Sequence, residues 1–329
     1  MSSQLLSVEE VARKISAGEP LVLAGEESLL AKLPAGKWIG GTIPYFMTAQ
    51  GGCVCTDKIF TTELPSYVRD VRILNFSEAS LPTMNSGAEA QDVSIIILPA
   101  NAGVHTSFAV NAPNYEGFAT HPVIGWISGV NLKDVATATP KVFCGDSRPL
   151  ANAAVVLRFR LPENKYANIG IINLFTQGTG DVIRFPKSGF TAEEVLVNGK
   201  SCNFAEYLAK IGADTKFPVV ANYSGASINV SFKNVDQASR RVEFYAPVWP
   251  DVDYKLAAPI GDYVTGFQSR LKELSPTSVV FSCNCILNYL YGGLEGRKTG
   301  GIVGPVTFGE IAYQLLNQTM AHMTIEDAG

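Results

Sequence analysis

The apolar residues of this chain are gathered into short runs rich in β-branched side chains and separated by turn-forming residues. The run at 93–98 (VSIIIL), ended by Pro99, has the length and branching of a strand that is buried on both faces. Between 153 and 185, the runs AAVVLRFRL, NIGIINLF and DVIRF are separated by the turn-rich segments PENKY and TQGTG. Because no helix-length segment lies between these runs, they predict an antiparallel meander. The chain is therefore expected to form sheets.

Helices are fewer, and two of them have marked starts. Ser7 and Glu10 form a capping-box pattern ahead of an apolar stripe. Asn203, with Glu206 three residues later, predicts the start of a second helix. Since the helices do not alternate regularly with the strands, the pattern predicts an α+β fold of mainly antiparallel or mixed sheets with packed helices.

Length and turn signals indicate two lobes. A chain of 329 residues is long enough for about two domains. The pair Asn198-Gly199 favours a type I′ hairpin, because both central residues of that turn need positive φ. We expect a division near residue 180, giving domains at 1–180 and 181–329.

Charge and hydropathy exclude several classes of partner. The 26 Lys and Arg residues against 30 Asp and Glu give a formal charge of −4, without a basic cluster, so nucleic acid is not an expected partner. No apolar stretch approaches the roughly 18 residues of a membrane span. The N-terminal segment has no apolar core typical of a signal peptide, so a cytoplasmic location and reduced cysteines are expected.

Catalytic and nucleotide-binding motifs are not found. The segment GGLEGRKT resembles a phosphate-binding loop, but Arg297 stands where that loop needs a glycine. His105, His121 and His322 are scattered, which favours structural roles for all three. Acid pairs such as Glu26-Glu27 are interpreted as solvated faces.

The cysteines leave one metal alternative open. The pairs Cys53/Cys55 and Cys283/Cys285 could together form a four-thiolate zinc site, although structural zinc sites usually space their cysteines by two to four residues. Buried, reduced thiols that pack as small hydrophobic groups are the favoured interpretation. No metal or cofactor is therefore predicted.

One group of polar residues lies in otherwise apolar surroundings. Cys283 and Asn284 end an apolar strand, whereas Gly309, Glu310 and Asn317 lie in the apolar C-terminal segment. Buried polar side chains must be hydrogen-bonded or they cost stability. The group predicts either an internal network or a small polar pocket, and the sequence favours neither.

The same C-terminal segments resemble a known family. Two segments joined by a glycine-rich connector are similar to the C-terminal half of the FIST domain. They are SVVFSCN at 278–284 and GPVTFGEIAYQLLNQTMAHMTI at 304–325. That domain is named for F-box and intracellular signal transduction proteins. KWIGGTIP at 37–44 and PVIGWISGV at 122–130 resemble strands of its N-terminal half. The resemblance implies that 1–180 and 181–329 are the two halves of a stand-alone FIST protein.

The resemblance also implies ligand sensing. Family members are thought to bind small molecules, such as amino acids or related metabolites, and often adjoin signalling domains. We therefore expect a non-enzymatic cytoplasmic sensor that binds a small polar metabolite near the junction of the lobes and signals through a separate protein. In this hypothesis Asn284 and Asn317 hydrogen-bond the ligand, Glu310 holds an ammonium group, and Cys283 and Gly309 line the site.

Two alternatives belong to other functional classes. A thiol-dependent enzyme with Cys283 as nucleophile would need a base within about 3 Å of the sulfur and an exposed thiol with a lowered pKa. A structural or assembly protein would need a large apolar surface patch and no pocket. No catalytic residue is assigned.

Overall fold

The computed structural model describes residues 3–118, 120–223, 226–271 and 279–328. The predicted α+β class is confirmed, since several mixed sheets are combined with short helices. The helices are α1 (Val8–Ser16), α2 (Glu27–Leu30), α3 (Gly103–Asn111), α4 (Phe204–Lys210), α5 (Tyr263–Leu271) and α6 (Ile286–Tyr291).

The strands, in chain order, are β1 (Ser3–Leu6), β2 (Leu21–Gly25), β3 (Trp38–Thr42), β4 (Tyr45–Thr48), β5 (Gly51–Val54), β6 (Ile59–Glu63), β7 (Arg69–Phe76), β8 (Asp92–Pro99), β9 (Val123–Ser128), β10 (Val142–Cys144), β11 (Ala154–Arg160), β12 (Lys165–Ile172) and β13 (Ile183–Arg184). They continue with β14 (Gly189–Ala192), β15 (Glu194–Val197), β16 (Lys200–Asn203), β17 (Val219–Tyr223), β18 (Ala226–Val230), β19 (Phe232–Asp236), β20 (Arg241–Val248), β21 (Tyr254–Leu256), β22 (Val279–Cys285), β23 (Gly304–Thr307), β24 (Glu310–Ala312), β25 (Gln314–Leu316) and β26 (Met320–Asp327).

The chain divides into two compact units. Unit 1 comprises Met1–Ile172, Phe267–Leu315 and Met320–Gly329, and unit 2 comprises Asn173–Gly266 and Leu316–Thr319. The predicted domains at 1–180 and 181–329 stay a prediction, and in the structure the chain enters unit 2 at Asn173. The chain then returns to unit 1 at Phe267, so unit 2 is inserted within unit 1 rather than following it.

Unit 1 is built on three sheets. Their strand orders are β1-β6-β2-β3-β10, β25-β24-β9-β8-β11-β7 and β12-β26-β22-β23-β4-β5. Most neighbouring strands are antiparallel, but β2/β3, β8/β9 and β22/β23 are parallel. Parallel neighbours need a crossover connection, and α2, α3 and α6 lie in these three connections.

The first sheet of unit 1 is covered by α1. The Ser7 side chain accepts a hydrogen bond from the Glu10 backbone N–H, and the Glu10 carboxylate accepts one from the Ser7 N–H. The predicted capping box is thereby confirmed. It sets the helix so that Val11 and Ile15 are buried in one core cluster with Trp38 of β3.

A glycine in β3 lets this strand approach the second sheet. A Cβ atom at Gly41 would lie 2.6 Å from the Trp126 ring of β9 and 2.7 Å from Ile97 of β8. Real Cβ atoms do not approach that closely, so a side chain here would push the two sheets apart. The contact brings the end of β3 beside the end of β9.

Unit 2 contains two further sheets, ordered β16-β15-β13-β21-β17-β18 and β14-β20-β19. The predicted hairpin turn is confirmed, because Asn198 and Gly199 have φ of 47° and 80° and join β15 to β16. The cap at Asn203 is confirmed as well, since its Oδ1 accepts from the Glu206 N–H at 3.1 Å. Aromatic side chains fill the core: Phe185, Phe204, Phe232, Phe244 and Tyr254.

The predicted antiparallel meander is wrong. β11 pairs with β7 and β8, β12 pairs with β26, and β13 pairs with β15 and β21. The three runs are strands, but none is hydrogen-bonded to another of them. The pattern of apolar residues identifies a strand but not the strand it pairs with. Here the pairing strands lie elsewhere along the chain.

Within the described ranges, no helix is long and apolar enough to cross a lipid bilayer.

Candidate functional site

The carboxyl ends of three strands meet in unit 1. The Gly129 N–H, directly after β9, donates to the Thr42 carbonyl at 2.8 Å, and the Thr42 hydroxyl donates back to the Gly129 carbonyl at 2.8 Å. The Ile43 N–H, directly after β3, donates to the Gly25 carbonyl at the end of β2 at 3.1 Å. In sheets with parallel strands, ligands bind outside these carboxyl ends.

Two loops are fixed around this point by further hydrogen bonds. The Lys141 N–H donates to the Thr42 hydroxyl at 2.9 Å, which holds the segment before β10 in place. The Asn131 Oδ1 accepts from the Lys133 N–H at 3.1 Å and from the Tyr45 hydroxyl at 3.3 Å. These contacts position the short 3-10 turn Leu132–Asp134 after β9.

A cavity of about 310 Å³ opens between these elements, and we call it the strand-end recess. Its lining comes from the ends of the three strands and from the two loops: Glu26, Glu27, Thr42, Ile43, Pro44, Gly129, Val130, Asn131, Asp134, Ala138, Thr139 and Lys141. All of these residues belong to unit 1. Ligand pockets in proteins typically measure roughly 300–1,000 Å³.

Acidic side chains dominate the charge of the recess. Glu26, Glu27 and Asp134 contribute carboxylates, and Lys141 contributes the one ammonium group in the lining. Glu26 is half-buried at the start of α2, where its side chain makes no capping hydrogen bond. Burial, together with the negative charge of Asp134, raises the pKa of the Glu26 carboxyl. A positive group in the recess would relieve this repulsion.

Sequence reasoning missed this role of Glu26. The sequence indicates a solvated face for Glu26-Glu27, and Glu27 is exposed, but Glu26 is half-buried and both residues line the recess. The local signal was an acidic residue placed directly after a short buried strand and before a helix. Its charged neighbour Asp134 lies far along the chain and could not be inferred from spacing.

Four of the five predicted ligand residues belong to unit 1, and the fifth, Asn317, belongs to unit 2. Cys283 and Asn284 line a second cavity in unit 1, together with Ser282 and residues of β23. That cavity measures about 10 Å³, which is the space of roughly one water molecule. Asn317 belongs to unit 2, where its side-chain N–H donates to the Leu316 carbonyl at 2.9 Å.

Cys283 lies in a buried, hydrogen-bonded position. Its thiol donates to the Gly125 carbonyl at 3.2 Å, and its side chain is 1% exposed. Burial, and secondarily the charge of Glu310, raises the pKa of the Cys283 thiol well above its ordinary value. A thiol nucleophile needs the opposite, namely exposure and a lowered pKa. The geometry therefore gives no support to the thiol-enzyme alternative.

Glu310 and Gly309 are built into the second sheet. Glu310 is fully buried on β24, where it pairs with Trp126 of β9. The Gly309 carbonyl accepts from the Ile127 N–H at 2.9 Å and from the Thr307 hydroxyl at 3.0 Å. Gly309 and Glu310 are therefore held by backbone pairing and by a hydroxyl bound to a backbone carbonyl, which is consistent with the internal network that the sequence left open.

Asn284 extends the same interpretation. Its Oδ1 accepts from the Cys285 N–H at 2.8 Å and from the Asn288 side chain at 3.0 Å. The Thr307 hydroxyl also contacts the Asn284 carbonyl, at 3.3 Å. The ligand roles of Cys283, Asn284, Gly309, Glu310 and Asn317 stay predictions, and the geometry favours the strand-end recess as a ligand site.

The zinc alternative gains no support from the described residues. Among them, no group of three or more His, Cys, Asp or Glu side chains is arranged to hold a metal ion. The six cysteines are free thiols, of which Cys283 and Cys285 are buried.

His121 takes part in a buried hydrogen-bonded chain in unit 1. The Ser94 hydroxyl lies 2.9 Å from the His121 Nε2, and the Arg158 Nε donates to the same hydroxyl at 3.3 Å. All three side chains are buried. Burial and the nearby positive charge of Arg158 lower the pKa of His121 to about 4. His121 is therefore neutral at pH 7.

The chain matches one family model. The model is described as a family of unknown function, DUF6976, and it matches residues 6–326. The resemblance to the FIST domain is wrong, because the match that spans nearly the whole chain is to this family and no FIST model matches. The C-terminal segments that carry the resemblance form β22, which leads directly into α6, and the β23–β24 region, and short strands with such connections are common to many folds. No curated protein matches the chain.

Proposed function

We propose a binding function for this chain, which belongs to the family of unknown function DUF6976: it holds a small polar metabolite in the strand-end recess. The observation that carries the proposal is a cavity of about 310 Å³ outside the carboxyl ends of β2, β3 and β9. The cavity at Cys283 and Asn284 and a further one beside Met84 and Tyr115 measure about 10 Å³ each, so each would hold no more than about one water molecule.

The lining of the recess supports a polar ligand. The lining includes polar groups, namely three carboxylates, the Lys141 ammonium and the Thr139 and Asn131 side chains. It also includes the apolar residues Ile43, Pro44 and Val130. A few polar groups that fix orientation, set among apolar contacts, are typical of small-molecule sites. The expected signalling role depended on the FIST resemblance, so the proposal is confined to binding.

A blocking substitution tests the proposal. Ala138 is exposed and lines the recess, so Ala138→Trp should fill part of the cavity while leaving the core intact. The matched control is Ala136→Trp, because Ala136 is exposed on the same segment but does not line the recess. Both variants and the wild type would be screened against a library of polar metabolites by thermal shift.

We expect some compounds to raise the melting temperature of the wild type and of Ala136→Trp but not of Ala138→Trp, since a bound ligand stabilises the folded state. Equal stabilisation of all three proteins would place binding outside the recess. A wild type that no compound stabilises would overturn the proposed function.

A further inference from the structure

The charged groups that line the strand-end recess come from three separate elements. Glu26 and Glu27 lie at the start of α2, Asp134 lies in the turn after β9, and Lys141 lies before β10. At neutral pH three carboxylates thus face one ammonium group. The cavity therefore presents a net negative lining to whatever occupies it.

The position of Glu26 makes its charge sensitive to an occupant. This carboxyl is half-buried, and Asp134 is the charged neighbour that disfavours its ionisation. Two carboxylates that share a site cannot both ionise freely. A proton on this pair and a cation beside it are alternative ways of relieving the same repulsion.

We propose that the recess selects the positively charged end of a small organic molecule, an ammonium or amidinium group held between the Glu26 and Asp134 carboxylates, and that protons compete with this group. The inference rests on the proposed function and adds the charge of the ligand and its dependence on pH. As the pH falls, the Glu26 carboxyl takes up a proton and no longer attracts the cation. With one competing proton, the affinity falls by at most about tenfold per pH unit.

A matched series of four-carbon probes tests the charge. The probes are 1,4-diaminobutane with two positive ends, 4-aminobutanoate with one end of each sign, and succinate with two negative ends. Their binding to the full chain would be measured by isothermal titration calorimetry at pH 7.5 and pH 5.0. We expect 1,4-diaminobutane to bind most tightly at pH 7.5 and succinate not to bind. At pH 5.0 the dissociation constant for 1,4-diaminobutane should be higher than at pH 7.5.

Two variants assign the effect to the recess. Glu26→Gln keeps the size of the side chain but removes its charge, so it should weaken 1,4-diaminobutane binding at least tenfold at pH 7.5 and remove most of the pH dependence. Glu163→Gln is the control, because Glu163 is an exposed carboxylate of unit 1 outside the recess. It should bind as the wild type does.

The outcomes separate the two proposals. If succinate binds as well as 1,4-diaminobutane, or if the affinity for the diamine is the same at both pH values, the inference is overturned while binding in the recess stands. The inference also fails alone if no cationic probe binds but other library compounds are blocked by Ala138→Trp. If neither the probes nor the library bind the wild type, both proposals fall.

Discussion

The buried side chain of His121 makes the stability of the folded protein depend on pH. Its pKa is lowered to about 4 in the folded protein because the imidazole is buried near the Arg158 guanidinium. In the unfolded chain a histidine titrates near 6.5. The folded state therefore binds fewer protons between these values, and stability decreases as the pH falls from 6.5 towards 4.

We expect this histidine alone to cost unit 1 about 3 kcal/mol at pH 4 relative to pH 7. His121→Asn should show a correspondingly smaller difference in free energy of unfolding between the two pH values. Urea denaturation followed by tryptophan fluorescence would measure it, in a Trp249→Phe background that leaves Trp38 and Trp126 of unit 1 as reporters. An equal pH dependence in both proteins would contradict the assignment.

The strand-end recess could be predicted only in part from the sequence around Glu26. Glu26 carries a readable local signal, since it directly follows a short buried strand. Burial and, after it, the charge of Asp134 raise the pKa of Glu26, and its place in the recess depends on the approach of β3 to β9. Those distances are set by tertiary packing, so the sequence could suggest neither the cavity nor the pairing of the two carboxyls.

At the scale of elements, the helix caps at Ser7 and Asn203 differ in the number of hydrogen bonds that the capping side chain makes. Ser7 satisfies one N–H at an exposed helix start. Asn203 is buried, and beyond its cap it donates to the Glu193 carbonyl and the Arg240 carbonyl, both at 2.9 Å. The second cap therefore connects α4 to two neighbouring segments of unit 2.

We expect Ser7→Ala to lower the free energy of unfolding by about 1 kcal/mol, as an exposed cap does. Asn203→Ala should cost about 2–3 kcal/mol, because two carbonyls lose their donor as well. Ser28→Ala, an exposed serine inside α2, is the control and should stay within about 0.5 kcal/mol of the wild type. Chemical denaturation of the full chain measures all three, and an Asn203→Ala cost no larger than that of Ser7→Ala would refute the comparison.

Elements with strong local chemistry were predictable, and their partners were not. The caps at Ser7 and Asn203 and the turn at Asn198-Gly199 follow from hydrogen bonding and φ preferences over a few residues. The partner of β12 is β26, a strand far along the chain, and no local preference favours it over a neighbour. The predicted meander is wrong for that reason.

At the scale of the whole molecule, unit 2 is completed by a short segment from near the C-terminal end of the sequence. Leu316–Thr319 belongs to unit 2, although the residues on either side belong to unit 1. The Gln318 side chain is 2% exposed, accepts from the Ser231 hydroxyl at 2.7 Å and donates to the Lys216 carbonyl at 3.0 Å. The Asn229 side chain donates to the Asn317 carbonyl at 3.1 Å.

Gln318→Ala should therefore destabilise unit 2 by about 2–3 kcal/mol, since a buried hydroxyl and a carbonyl lose their partner. Hydrogen exchange on the full chain should show reduced protection in β17, β18 and β20, with the sheets of unit 1 unchanged. Gln314→Ala, at a half-buried position of unit 1, is the matched control and should leave unit 2 protected. Equal loss of protection in both units would contradict a local role for Gln318.

The position of β26 in its sheet bears on how the protein is made. This strand lies between β12 and β22, so the third sheet of unit 1 has a gap at its second position until residues 320–327 have left the ribosome. The segment 316–319 that completes unit 2 emerges just before it. Both units therefore need residues 316–327 to be completed, and nascent chains without this stretch would present unpaired strand edges to chaperones and proteases.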